Sequence, residues 1–501
     1  MKLDSAIFAP VASTAVTGPG RQARLRDAAL AGPGGVGGIV WEPGEREGLW
    51  NALIGGGALD QALVEAGGCG RRVRALPGPR VLALVLALVL YGGENYETVL
   101  AKMIPHLPGG NVPPHQVPTA SALSQARARL GVEPVKALFA RHAAPGPPAP
   151  GTHYGELLLT GFDGTCVHLA GDPRLREAFG TAPGSMMPQA RLVTLVTLGD
   201  RRIHAGAIGP YATAEQDLAD RLEHALGPGT LNLADRNFYS MRRFLAFHAT
   251  GTHLLWRIKN ANHLVSGRTT ARLPDGSYLV RLRESDGMLA ERRRQPGQRR
   301  AQRLPTTTAR LIEFDIHVGA HHTRPRTSRV RLLTTLLDHQ AHPAHTLATL
   351  YAERWQVEIT YLRLKTQLQG NRTPLRARSP ALAEQELWAL MTVYNILCTL
   401  AADAAALHGI DPDQISFITV LRHTRAHLAA DLPCPACGHH QDQPKHVLTR
   451  AIAASPRNRT SRKRTSPRTP TERKTGRTRN ATYTITITES NLPKEHQPTL
   501  T

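Results

Sequence analysis

Seven residues, Pro145-Gly146-Pro147-Pro148-Ala149-Pro150-Gly151, restrict the fold of this chain more than any others. Six of the seven are proline or glycine. Proline fixes φ and lacks a donor N–H, and glycine loses the most backbone freedom on being ordered, so neither helix nor sheet runs through such a stretch. It reads as a linker over residues 145–152. The hydrophobic period differs on its two sides, which makes the chain a mixed one.

Upstream, the patterns are helical. Glu45–Ala66 is periodic, and Leu76-Pro77-Gly78-Pro79 breaks the chain ahead of the apolar run Val81–Tyr91, which Gly92-Gly93 ends. A helix follows over Asn95–Ile104. Thr119 suits the N-cap of a helix over Ala120–Leu130, stopped by Gly131, and Pro134 opens another through Arg141. Residues 45–144 are therefore expected as a small helical domain. Residues 1–44, rich in Gly, Ala and Pro without periodicity, are expected to be flexible.

Downstream, Leu157–Phe162 reads as a strand ending at Asp163, and Leu192–Leu198 and Ile203–Ile208 as two more joined by Gly199-Asp200. A helix over Ala214–Leu226, a strand over Leu231–Ala234, a helix over Met241–His248 and a strand over His253–Ile258 follow. Residues 259–329 read as a β-rich insertion of short pieces and turns, with Arg292, Arg293, Arg294, Arg299, Arg300 and Arg303 clustered in it. Val330–Leu337 returns to strand, and a long helix starts near Thr346. Strands first, then helix and strand in alternation, predict an α/β domain over 153–410 whose sheet begins antiparallel and continues parallel. Residues 411–501 form a C-terminal region whose Ser/Thr/Pro/Arg-rich tail, from about Arg450, is expected to be disordered.

Lys plus Arg number 61 against 39 Asp plus Glu, a formal charge of +22. The stretch from Lys445 to Arg479 holds twelve Lys/Arg and one Glu, a net +11, so the rest of the chain still carries +11. Such an excess calls for a polyanionic partner, nucleic acid being the usual one. Five cysteines in 501 residues make no disulfide framework. Val81–Tyr91 has about half of the roughly 20 residues needed to span a bilayer, so no membrane association and a cytoplasmic location are expected. Cys434 and Cys437, with His439, His440 and His446 nearby, have half the spacing of a zinc site. Without a second Cys pair, structural zinc is not expected there.

The most informative segment is Tyr351–Lys365. At about 100° per residue, Tyr351, Arg354, Glu358 and Lys365 fall within roughly 60° of one another on a helix. Trp355, Ile359 and Leu362 form an apolar stripe beside them, expected to anchor the helix. A carboxylate flanked by cations suits a metal–phosphate site, with a solvated helix carrying i,i+4 ion pairs as the plain alternative. Asp163 and Asp235 each follow a short apolar strand, where an acid is also a common turn or cap residue. Two such acids with a helical glutamate make the oxygen-rich set that Mg²⁺ or Mn²⁺ takes, and two ions on it can activate water or a 3′-hydroxyl for in-line displacement at phosphorus.

These residues resemble a known pattern. Tyr351, Arg354, Glu358 and Lys365 match without a gap the Y-x2-R-x3-E-x6-K signature of the DDE transposases of the insertion-element-4 family. Asp163-Gly164-Thr165, with Asp172-Pro173 and Phe179-Gly180 downstream, resembles the first-aspartate motif of that family. Leu233–Ser240, around Asp235, resembles the second, with Asn237 where the family pattern has glycine. Leu76–Leu100 and Val117–Arg127 resemble its helical N-terminal part, and the likeness covers roughly Leu76 to Gly370.

The resemblance implies an RNase H-like catalytic core with a β-rich insertion, preceded by the helical domain. It implies metal-dependent cleavage at the ends of a transposable element and strand transfer into double-stranded target DNA, by a homodimer on the DNA associated with the bacterial nucleoid. Asp163, Asp235 and Glu358 inherit the role of ligands to Mg²⁺ or Mn²⁺, two ions in all. Tyr351, Arg354 and Lys365 inherit contacts to the DNA backbone. Trp256, beside Arg257 and Lys259 at the mouth of the insertion, is a candidate to stack on a displaced base, with a core tryptophan as the alternative. The helix Ala120–Leu130 offers Ser121, Ser124, Gln125, Arg127 and Arg129 as DNA readers or as a solvated face. A DNA-binding protein without catalysis and a simple RNase H-like nuclease are the rival functions. The complete carboxylate set counts against the first, and the basic insertion with the four-residue signature against the second.

Overall fold

The computed structural model describes residues 49–67, 76–103, 106, 118–259, 267–284, 286–294, 299–303, 306–320, 323–370, 373–430, 444–455 and 482–487. Residues 1–44, the Cys434/Cys437 pair and most of the basic tail lie outside them.

Glycine splits the first expected helix. Gly55 and Gly57 adopt φ of +98° and +72°, in the left-handed region that side chains disfavour, so Glu45–Ala66 becomes α1 (Leu49–Ile54) and α2 (Ala58–Glu65). α3 (Gly78–Leu90) is buried at every residue from Arg80 to Leu90. α4 (Tyr96–Met103) follows. α5 (Ala120–Leu130) begins where the Thr119 hydroxyl accepts the Ala122 N–H at 3.2 Å and ends at Gly131, as the sequence predicts. α6 (Glu133–Ala143) leads into the linker.

These helices do not make a core of their own. α3 is apolar all round and must be covered on every side. Part of that cover is α13 (Pro380–Ala406), whose residues share one apolar cluster with the N-terminal helices, α14 (Phe417–Ala430) and α15 (Pro444–Ala453). The described residues accordingly belong to a single compact unit, and the Pro/Gly linker separates secondary-structure types rather than cores. Arg127 of α5 is 1% exposed; its Nε donates to Gln385 of α13 at 3.1 Å, which withdraws it from the DNA readers offered above. Ser121, Gln125 and Arg129 are exposed. α13 is also the one helix among the described residues long and apolar enough to cross a membrane, and here it is largely buried by its neighbours.

Among the described residues, eleven strands form one sheet: β1 (His153–Tyr154), β2 (Leu157–His168), β3 (Gln189–Thr197), β4 (Ile203–Pro210), β5 (Thr230–Ala234), β6 (His253–Ile258), β7 (Gly267–Arg272), β8 (Tyr278–Leu282), β9 (Thr307–Ala320), β10 (Thr323–Thr334) and β11 (Thr482–Ile487). Their order is β4-β3-β2-β5-β6-β10-β9-β8-β7, with β1 on β2 and β11 on β9. β2, β3 and β4 run antiparallel, and β5 and β6 run parallel to β2, the predicted change of sense. α7 (Pro173–Phe179) follows β2, while α8 (Glu215–Asp220) and α9 (Met241–Ala249) connect the next strands. α8 is shorter than the expected Ala214–Leu226.

Two expectations are corrected. The segment 259–329 is not a set of short pieces: β9 and β10 are 14 and 12 residues long, pair with each other, and extend the main sheet because β10 joins β6. The Arg292–Arg294 cluster lies on α10 (Asp286–Arg294). Nor is the whole tail irregular, since Thr482–Ile487 adds to β9 from Gly319 to Phe314. Alternating Thr and Ile at that place carries a strand period inside a stretch whose composition is polar.

The sheet opens where the site lies. β2 stays paired with β3 through His168, but its pairing with β5 stops at Gly161↔Leu233. β5 itself ends one residue later, at Ala234, so Asp235 leaves the strand end while Asp163 lies two residues past Gly161 on the continuing β2. Ligand crevices of open α/β sheets form at strand ends of this kind.

Candidate active site

Asp163 does not end its strand as expected; it sits within β2, opposite Thr194 of β3. Its Oδ1 accepts the Gly164 N–H at 2.8 Å. Asp235 follows the last residue of β5, and its Oδ1 accepts the Arg236 N–H at 2.7 Å.

The signature segment is continuous helical backbone of changing pitch. α11 (Ala344–Leu350) tightens into a 3-10 turn over Tyr351–Arg354, relaxes to α12 (Trp355–Leu362) and widens to a π turn over Arg363–Leu368. Pitch changes of this kind re-aim side chains relative to an even helix. Three contacts bind the segment to β5 and β2: the Tyr351 hydroxyl donates to the Ala234 carbonyl at 3.2 Å, the Tyr361 hydroxyl to the Asp163 carbonyl at 2.5 Å, and Lys365 Nζ to Thr165 Oγ1 at 3.1 Å. Gly161 allows the close approach, since a Cβ there would stand 2.9 Å from Val357. The anchoring stripe differs from the predicted one. Val357, Tyr361, Leu364 and Leu368 are buried, whereas Leu362 is 42% exposed.

Arg354 is the centre of the arrangement. Its Nη2 donates to Glu358 at 3.2 Å, and its Nη1 lies 3.9 Å from Asp163. Burial works against its charge, but the Tyr351 hydroxyl and the carboxylates of Asp235, Asp163 and Glu358 outweigh that and raise its pKa above the ordinary arginine value. Asp163 is pushed up to about 6: burial is the main cause, and Glu358 and Glu215 add to it against the opposing Arg354 and Gly164 N–H. Tyr351 is raised by burial, with Arg354 opposing and Asp235 adding. Burial lowers Lys365.

Two of the three acids predicted from sequence, Glu358 and Asp163, thus flank one guanidinium, and the third, Asp235, acts on it electrostatically. Among the described residues, no three His, Cys, Asp or Glu side chains come close enough together to hold an ion. The groups around Arg354 are all oxygen donors, three carboxylates and the Tyr351 phenol, and carboxylate oxygen is the chemistry a hard divalent cation requires.

Trp256 does not belong to this set. It is 0% exposed on β6, its Nε1 donates to Asn232 Oδ1 at 2.9 Å, and its ring meets Phe244 and Phe247 of α9 edge-on. Side chains alternate along a strand, so Trp256 enters the core while its neighbour Arg257 takes the other face. There Arg257 acts electrostatically on Tyr351, and its buried Nε has no hydrogen-bond partner among the described residues. Sequence reasoning also passed over Tyr361 and Glu215. The one sequence signal for Glu215 is Gly164, where a Cβ would lie 2.6 Å from the Glu215 carboxyl carbon.

The family profile described as insertion element 4 transposase N-terminal matches residues 52–140, and that of the transposase DDE domain matches residues 162–396. The chain is 30% identical over 369 residues to the transposase InsG for insertion sequence element IS4 of Escherichia coli (strain K12), covering 72% of this chain and 78% of that one. It is 28% identical over 203 residues to the InsZ protein of the same organism, covering 39% of this chain and 65% of that one. A cryo-EM structure of the piggyBac transposase synaptic complex with hairpin DNA overlaps 82% of this chain and 84% of its own, at 10% identity and a TM-score of 0.38. With both family profiles matched and 30% identity to the IS4 transposase over 72% of its length, the chain belongs to the insertion-element-4 family of DDE transposases.

Proposed function

We propose that this transposase cleaves the ends of its element and joins them to target DNA by metal-dependent phosphoryl transfer, with Asp163, Asp235 and Glu358 as the metal ligands. The observation that supports this reading is Arg354, bonded to Glu358, 3.9 Å from Asp163 and under the charge of Asp235, beside the place where the pairing of β2 with β5 ends. We read β2 to β6, three antiparallel strands followed by two parallel ones, as an RNase H-like core. The N-terminal helices and the extended sheet would supply further contacts to double-stranded DNA, with two copies of the chain acting on paired ends. Work on chromosomal DNA would place the protein in the cytoplasm with the nucleoid.

Mg²⁺ or Mn²⁺ bound by the three acids would supply Lewis acidity to the attacking and leaving oxygens. The chain's own residues do the rest. Arg354, firmly charged and held by Glu358, presents a planar fork to phosphate oxygens. Lys365, seated by Thr165, and Arg257 place two more cations along the same opening. Tyr351 ties the start of the signature helix to the end of β5, and so sets Glu358 relative to Asp235. In the cleavage step water adds to phosphorus and the P–O3′ bond breaks, leaving a 3′-hydroxyl and a 5′-phosphate. In the joining step that 3′-hydroxyl attacks a target phosphodiester and displaces its 3′-oxygen. The test is cleavage of a duplex carrying the element end by purified protein, with Mg²⁺, with Mn²⁺ and with excess chelator. Full cleavage in chelator refutes the reading.

A further inference from the structure

Glu215 stands in the first turn of α8, outside every motif used so far. Its carboxylate is held on two sides. Oε1 accepts Arg191 Nη1 at 3.2 Å, and Arg191 is itself fixed by the Tyr211 carbonyl at 3.0 Å and by stacking on the Tyr211 ring. Oε2 accepts the Asn237 Nδ2 at 3.0 Å. Asn237 lies two residues after Asp235, and its remaining acceptors are used as well: Gln216 Nε2 donates to its carbonyl at 2.9 Å and to its Oδ1 at 3.0 Å. The rest of the loop is tied down in the same direction. Arg243 donates to the Phe238 carbonyl at 2.8 Å and to the Gln216 carbonyl at 3.2 Å, and the Phe238 N–H closes a turn on the Asp235 carbonyl at 2.9 Å.

Glu215 reaches this position because Gly164 has no side chain. A Cβ at residue 164 would stand 2.6 to 2.7 Å from Glu215 Cδ, Cγ and Oε1. One carboxylate thus joins the residue after the first aspartate to the loop that carries the second. Glycine, which the family pattern has at the place of Asn237, offers no carboxamide to hold.

We propose that Glu215 is a positioning residue: packed on Gly164 and bonded to Asn237, it sets the Asp235 loop against β2 and thereby the spacing of Asp235 and Asp163. This rests on the reading of those two acids as metal ligands. A pinned loop pre-orders the acid it carries, and displacing a reacting group by about 1 Å can cost as much as a hundredfold in rate.

The test uses the full-length protein with Glu215→Ala, Glu215→Gln, Asn237→Ala and the Glu215→Ala/Asn237→Ala double variant. Cleavage rate, affinity for the end-bearing duplex and Mn²⁺ binding by electron paramagnetic resonance are measured on each, with Asp163→Ala as the control. Glu215→Ala and Asn237→Ala should each lower the cleavage rate about tenfold and weaken Mn²⁺ binding, with end affinity unchanged, and the double variant should be no worse than either single one. Glu215→Gln keeps an oxygen for Asn237 and should recover most of the rate; if Glu215→Ala does not fold, Glu215→Gln and Asn237→Ala carry the test. Wild-type rate and Mn²⁺ binding in Asn237→Ala, or losses that multiply in the double variant, overturn the clamp. Undiminished cleavage by Asp163→Ala overturns the metal reading and the clamp with it.

Discussion

Arg354 donates to Glu358 one helical turn further on, at 3.2 Å, and the same guanidinium reaches to 3.9 Å from Asp163 on a strand that precedes it by most of the catalytic region. An i,i+4 pair on a solvated helix is worth only about 0.2–0.5 kcal/mol. Here the pair is largely buried, and Asp163 and Asp235 act on the same guanidinium, which supports the proposed site over a solvated helix pair.

Removing that cation should therefore act on chemistry. Arg354→Ala is expected to slow cleavage about a hundredfold or more while changing end affinity little, since many other basic residues hold the DNA. Arg354→Lys should also be impaired, because a point charge cannot reproduce the planar fork. Cleavage rate and affinity measured on the same preparations check this. Near-wild-type cleavage by Arg354→Ala would remove the cation from the mechanism.

Each of Asp163→Ala, Asp235→Ala and Glu358→Ala is expected to abolish cleavage and leave DNA binding largely intact, because their charge opposes phosphate rather than attracting it. Gel-shift and cleavage assays on the three variants check it. Loss of binding in all three would make the acids structural.

Asp163 has a consequence for stability. Its folded pKa of about 6 lies above the ordinary aspartate value of 3.8. Between those pH values the folded protein keeps a proton that the unfolded chain releases, so this group's contribution to stability falls as pH rises through the window and stays low above it. In chelating buffer, Asp163→Asn should be more stable than wild type at pH 7.5, on the order of 2 kcal/mol after allowing for partial exposure, and should match it near pH 3. Thermal melts at both pH values decide the matter; an advantage equal at both would assign it to something other than charge burial.

Trp256 is expected to matter for folding and not for DNA. Trp256→Phe keeps most of the ring but leaves Asn232 Oδ1 without its donor, at a cost of about 1–3 kcal/mol. End affinity of the folded variant should equal that of wild type. A selective loss of end affinity with unchanged melting would return this residue to the DNA interface.

The two parts of the tail should separate by truncation. Ending the chain after residue 481 removes β11, uncovers the β9 edge and should lower melting temperature while the salt dependence of DNA binding is kept. Ending it after residue 455 also removes most of the basic stretch and should flatten the salt slope for any DNA sequence. Equal salt slopes for the two truncations would show that the stretch makes no phosphate contacts.

What the sequence by itself determined about this protein was local. The Thr119 cap, the Gly131 stop, the strand His253–Ile258 and the spacing of Tyr351, Arg354, Glu358 and Lys365 all depend on residues within a turn or two of one another, where backbone propensity and side-chain period suffice. The change from antiparallel to parallel strands was legible for a similar reason, because hairpins and helical crossovers have different connection lengths. Tertiary structure decided which face of each element meets what. Trp256 and Arg257 are adjacent and both could be assigned to DNA; only the packing of α9 on one side of β6 sends the tryptophan inward. Leu362 and Val357 both fit an apolar stripe until the close approach at Gly161 selects Val357. The pairing of Thr482–Ile487 with β9, the cover that α13 gives α3, and the seat of Glu215 on Gly164 join residues far apart in the chain. No local period encodes such contacts, because each depends on surfaces that exist only once the other element has folded.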